Sequence, residues 1–206
     1  MAADKKKASG GKNSSKASSK SSTKSKKISI NADAGKSVPC PPIDPENIVV
    51  PKGGQVIQFY ELSPVFPKKV KGKLQAQPWK LVPRGCKKPL IENISVGFHE
   101  NASKLERVYE RAILVINIQQ TEKTGTWRFA LGGIATDLAD SDPDNDIKVE
   151  LIDNGLTMLV FVHVIPEASR AEIGFRFVAS FTHSDSGVVD IYASPDPGFI
   201  PVRPVA

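Results

Sequence analysis

The sequence predicts an all-β protein: a single β-sandwich of jelly-roll type that carries a disordered basic N-terminal arm. Three observations support this. About eight to ten short segments rich in branched and aromatic residues recur between turn signals, with at most one helix among them. Asp153-Asn154-Gly155 separates two apolar stretches and its residues tolerate positive φ, which marks a two-residue hairpin. Beyond it, Ile173, Phe175, Phe177, Ala179 and Phe181 share one face, while Glu172, Arg176, Ser180 and Thr182 take the other. That is the period-two pattern of a sheet with one buried face.

Taken in order, residues 1–27 contain only Lys, Ser, Ala, Gly and a few other small or polar residues, so they have nothing with which to build a core. They form the arm, and residues 28–206 form the body. Ile28–Ala32 reads as a short strand, followed by an extended stretch punctuated by Pro39, Pro41, Pro42 and Pro45. Ile48–Val50 and Gln55–Leu62 read as strands around a Gly53-Gly54 turn, and 62–91 as an irregular, proline-rich connection. Strands are then expected at Ile94–Phe98, Arg111–Gln119, Thr126–Leu131, Ile147–Asp153, Leu156–Ile165, Glu172–Thr182 and Val188–Ala193. Leu105, Val108 and Ala112 fall at helical spacing and suggest one short helix over 102–110. The longest apolar run, 156–165, is too short to span a bilayer, and no membrane partner is expected. No secretory signal is apparent, so Cys40 and Cys86 are read as reduced thiols in a soluble intracellular chain.

Charge is distributed unevenly. Lys5, Lys6, Lys7, Lys12, Lys16, Lys20, Lys24, Lys26 and Lys27 face only Asp4, so the first 27 residues carry +8 against +6 for the whole chain. A second basic segment holds Lys68, Lys69, Lys71, Lys73, Lys80, Arg84, Lys87 and Lys88, with no acid between Leu62 and Ile91. The rest of the chain is acidic. A cationic arm and a cationic loop on an acidic body suit neutralisation of a polyanion. Lysines engage phosphates as point charges and read little sequence, so binding should be steeply salt-dependent. Trp79 lies within the basic segment and could stack on a base, but packing into the core is the favoured reading. The arm's serines, Ser14, Ser15, Ser18, Ser19, Ser21 and Ser22, are candidate phosphorylation sites that would weaken its grip.

Motifs for catalysis do not assemble. Gly35-Lys36-Ser37 lacks the leading glycine of a phosphate-binding loop, since position 30 is isoleucine. His99, His163 and His183 lack the clustered cysteine and methionine of a copper site. Asp140, Asp142, Asp144 and Asp146 have the alternate-acid spacing of a calcium loop, with Asp137 nearby. However, Asn145 at the sixth position and Leu151 at the twelfth exclude an EF-hand. A looser structural calcium site is weighed there, and a solvated acidic loop is preferred. No cofactor and no enzymatic activity are expected.

A lysine-rich arm, a body of this size and a proline-studded C-terminus resemble the coat proteins of small positive-strand RNA plant viruses, of the bromovirus, cucumovirus or ourmiavirus kind. The likeness is carried by 105–117 (LERVYERAILVIN) with Thr126-Trp127-Arg128-Phe129, and by the ending 195–202 (PDPGFIPV). The resemblance implies a jelly roll that self-assembles into a closed shell, with arms turned inward on single-stranded RNA, in a virion or the host cytoplasm or nucleus. The residues expected to hold RNA are the nine arm lysines with Lys68, Lys69, Lys71 and Lys73. The rival expectation is a cellular nucleic-acid-binding β-sandwich with a cationic tail.

Overall fold

The computed structural model describes residues 44, 46–90, 93–135, 146–164, 173–174, 176–195 and 198–203. All of these belong to one unit, Ser37–Ala206. The chain runs through β1 (Asn47–Val49), β2 (Gln55–Ser63), β3 (Lys68–Val70), β4 (Lys73–Gln75), β5 (Lys80–Pro83) and β6 (Ile94–Gly97). It continues through α1 (Lys104–Tyr109), β7 (Arg111–Ile118), β8 (Gly125–Ala135), β9 (Ile147–Ile152) and β10 (Thr157–Val162). The last strands are β11 (Ile173–Gly174), β12 (Arg176–His183), β13 (Val189–Ala193) and β14 (Gly198–Val202).

These strands form a five-stranded sheet in the order β5-β2-β7-β10-β9, a four-stranded sheet β1-β6-β14-β11, a three-stranded sheet β13-β12-β8 and a separate β3-β4 pair. The all-β sandwich expected from the sequence is what forms. Its connectivity differs from an antiparallel jelly roll, because β2 pairs with β7, β1 with β6 and β14 with β6 in parallel. Strict alternation on β7 buries Ala112, Leu114, Ile116 and Ile118. They join Tyr60, Leu62, Trp127, Met158, Val160, Phe177 and Phe181 in a single core shared by the three larger sheets. Ile173, Phe177, Ala179 and Phe181 are buried as their alternation predicts, with a bulge between Phe177 and Ala179.

Two expectations are corrected. The connection over 62–91 is not irregular throughout but contains β3, β4 and β5. The 153–155 turn is not a two-residue hairpin, because Ile152 pairs with Thr157 and leaves a four-residue loop. Its physical cause is a run of left-handed residues, with φ of 51° at Asp153, 56° at Asn154 and 79° at Gly155. Helix α1 forms where expected, yet it buries none of its residues, and Leu105 and Val108 point to solvent. A capping box holds it instead: Ser103 N–H donates to the Glu106 carboxylate (2.7 Å) and Glu106 N–H donates to Ser103 Oγ (3.3 Å). Hydrogen bonding from the Ser103 backbone N–H and then from its side chain holds the Glu106 carboxyl below the usual range. The strand expected at Ile28–Ala32 lies outside the described residues.

One buried ion pair closes an end of the sandwich. Arg203 and Glu110 are both fully buried and meet at 2.5 Å. The guanidinium also donates to the carbonyls of His99 (2.6 Å) and Val164 (2.8 and 3.2 Å), and it lies 5.2 Å from the Phe98 ring centroid. The other Glu110 oxygen accepts the Gly53 N–H at 2.9 Å. Gly53 has φ of 62°, so glycine suits this turn. Among the described residues, no helix is long and apolar enough to cross a membrane. Replacing Arg203 by Met, or Glu110 by Gln, strands a buried partner and should cost about 3–5 kcal/mol in urea unfolding. The double variant Glu110→Leu/Arg203→Met should cost less than the sum of the single changes.

Candidate nucleic-acid interface

The second basic segment folds into a projecting hairpin and the edge strand beside it. β3 and β4 pair through Lys68–Gln75, Lys69–Leu74 and Val70–Lys73, which leaves Lys71-Gly72 as a two-residue turn. Both turn residues have positive φ, 48° and 82°, as a type I′ hairpin requires. Every residue of both strands is exposed, and among the described residues the pair joins no other sheet. Alternation puts Lys68 and Lys73 on one face and Lys69 on the other, with Lys71 at the tip. A two-stranded ribbon has little stability of its own, so its root must be fixed by the body.

Aromatic packing supplies that root. Trp79, just after the hairpin, donates its indole N–H to the Val65 carbonyl at 3.1 Å, and its ring meets Trp127 edge-on at 6.0 Å. Phe66, just before the hairpin, lies 4.9 Å from both Trp127 and Phe181 and 5.4 Å from Tyr192. Trp79 is therefore partly buried and packed against the core, in line with the core reading. A recess of about 440 Å³ opens at the root, lined by Pro64, Phe66, Lys68, Lys80 and Thr121, with Glu122 as its acid.

Lys68, Lys69, Lys71, Lys73, Lys80, Arg84, Lys87 and Lys88 are all exposed, and none has an ion-pair partner among the described residues. Arg84 lies over Phe59, 5.9 Å from the ring centroid. The nine arm lysines, Lys5 to Lys27, lie outside the described residues, as do Asp137, Asp140, Asp142 and Asp144 of the weighed calcium loop. Asp146 is described and is buried. No group of three or more potential metal ligands occurs among the described residues.

Cys86 is disulfide-bonded, which corrects the expectation of reduced thiols. The chain's other cysteine, Cys40, lies outside the described residues. Cys86 follows β5 in a turn closed by its N–H on the Pro83 carbonyl (2.9 Å), between Arg84 and Lys87. A reading of compartment does not bear on the geometry that brings sulfurs together, so it could not decide this point.

A sequence model of the DP-EP family matches residues 44–203, more than three quarters of the chain. The chain belongs to the DP-EP family. Searches of curated proteins and of solved structures find no match. The matched range takes in the whole cationic hairpin and leaves the lysine-rich arm outside. Family membership brings no substrate or partner with it, so the chemistry has to be argued from the side chains.

The hairpin lysines point to a concrete measurement. Changing Lys68, Lys69, Lys71 and Lys73 together to Gln should lower the log–log salt slope for single-stranded RNA by about 3, since each phosphate contact contributes about 0.7. Fluorescence anisotropy at several salt concentrations reads that slope. Separately, Cys86→Ser should cost about 2–4 kcal/mol in chemical unfolding. Reductant should destabilise the wild type equally and leave the variant unchanged.

Proposed function

We propose that this protein is a non-enzymatic structural protein that holds single-stranded RNA by neutralising its phosphates. The observation that carries the reading is the acid-free run of eight bases folded into an exposed hairpin and the adjoining β5 edge. Unpaired exposed cations attract a polyanion at little desolvation cost, and their number makes the attraction salt-dependent. The arm, with +8 over 27 residues, adds charge of the same kind. Arm and hairpin contact phosphate, so sequence preference from these contacts should be small.

The coat-protein resemblance extends this reading to self-assembly into a shell. One feature favours it: among the described strands β13 is the outer one of its sheet, and Val189 and Ile191 are more than half exposed along it, with Val188 beside them. An unpaired, apolar edge offers backbone groups and side chains to a neighbouring copy. The alternative reading, a cellular nucleic-acid-binding sandwich, shares the RNA chemistry and lacks the assembly.

Deleting residues 1–27 should lower the RNA salt slope by about 6, for the eight net charges removed. Light scattering of the full chain with RNA should reveal large particles that are altered or lost on this deletion. A species that stays near 22.3 kDa with and without RNA would leave the cellular reading in place of the shell. Retention of RNA at every salt concentration after the deletion and the lysine changes would defeat the phosphate-binding reading.

A further inference from the structure

The outer face of the five-stranded sheet is apolar where a solvated sheet face would be polar. On β2, Gln58, Tyr60 and Leu62 turn inward, while Ile57 and Phe59 turn outward and are 52% and 42% exposed. Cross-strand register extends this into two rows. Ile57 stands beside Ile113, which stands beside Phe161 and then Lys148. Phe59 stands beside Val115, then Leu159 and Glu150. The two phenyl rings are thus two strands and two residues apart, about 12 Å from the spacing of strands and the rise along them.

Cations flank the face on both sides. On the β5 edge, Arg84 lies over the Phe59 ring, and Lys80 takes the same outward face two pairs further along. On the far side, Arg111, Lys148 and His163 line a recess of about 300 Å³ together with Val108, Phe161 and the acid Glu150. Glu61, beside Asn117, is a second acid on this face, and Asp153, which accepts from the Thr157 hydroxyl opposite Asn117 at 3.0 Å, is a third. With Lys68 and Glu122, which share a recess with Lys80, the bases Lys68, Lys80, Arg84, Arg111 and Lys148 outnumber Glu61, Glu122, Glu150 and Asp153 by one, so the rim is net positive. The β5 edge also continues directly from the cationic hairpin.

We propose that this face is a stacking platform for single-stranded nucleic acid, with bases laid on Phe59 and Phe161 and phosphates on Arg84, Arg111 and Lys148. The inference rests on the RNA reading above and adds a base-contacting surface that the lysine arm and hairpin lack. Charge complementarity selects the occupant: an apolar face meant only for another apolar surface gains nothing from a net cationic rim. Aromatic rings on a sheet, and guanidinium planes beside them, stack on any base, which gives affinity that survives salt better than ion pairing. The strand would leave the hairpin along β5, cross Phe59 and reach the recess at Arg111 and Lys148.

The test compares full-length wild type, Phe59→Leu/Phe161→Leu and Phe59→Tyr/Phe161→Tyr in anisotropy titrations with labelled oligo-rA and oligo-rU. Leucine keeps the face apolar and removes the π-surface, while tyrosine keeps both. The leucine variant should bind oligo-rA at least about tenfold more weakly, with an unchanged salt slope, and the tyrosine variant should match wild type. Thermal melts confirm that each variant is folded, as the partly exposed positions lead one to expect. If wild type binds RNA and the leucine variant binds equally well, the platform is refuted and the hairpin reading stands. If wild type binds no RNA at low salt, the parent reading itself fails. If the leucine change abolishes a homodimer seen by light scattering and leaves RNA affinity intact, the face belongs to a second copy and the proposal is overturned.

Discussion

The fold depends on a charge pair placed where water cannot reach it. Arg203 and Glu110 have no exposed surface, so each is tolerable only while the other is in place. Their hydrogen bonds reach backbone carbonyls at His99 and Val164 and the amide of Gly53, which precedes β2. The pair thereby ties the C-terminal end of β14 to the starts of β2 and β7, joining the four-stranded sheet to the five-stranded one. Because β2 and β7 start from the same anchored end and run in parallel, their pleats coincide. Tyr60 and Ile116 then face the core together, and Phe59 and Val115 face outward together.

That coincidence of pleats links structure to chemistry. A central strand such as β7, written Arg-Ala-Ile-Leu-Val-Ile-Asn-Ile, is apolar on both faces, yet only one face meets the core. The other is left with Ile113 and Val115, flanked by Ile57, Phe59, Leu159 and Phe161. Surfaces of this kind usually mark a place where something else docks. On the neighbouring edge the aromatic cluster around Trp127 holds the root of a hairpin that has no sheet of its own. Rigid packing under an exposed polar element is a common way to present contact residues.

Much of the fold was legible because it is written in period-two alternation. The strands around Phe177 and Phe181, and β2, β6, β7 and β10, follow directly from apolar spacing. The cationic hairpin was legible as charge but not as structure: Lys71-Gly72 takes a turn usually signalled by Asn-Gly, and Lys68-Lys69-Val70 has no alternation to announce a strand. Its exposed strands bury nothing, so no hydrophobic pattern was available to read. Arg203 could not be found from sequence, since only the fold brings it to Glu110 across 93 positions. The outward aromatic pair was hidden for a related reason. Phe59 and Phe161 look like ordinary core residues until pairing assigns the face of each strand.

The position of β14 has a consequence for how the molecule is made. It lies between β6 and β11, inside its sheet, although among the described strands it comes last in chain order. A ribosome delivers residues in order, so β6 waits with one edge open until residue 203 has emerged. The nascent chain can collapse early but cannot lock. Closure of the sandwich is thus postponed until the arginine that seals it arrives.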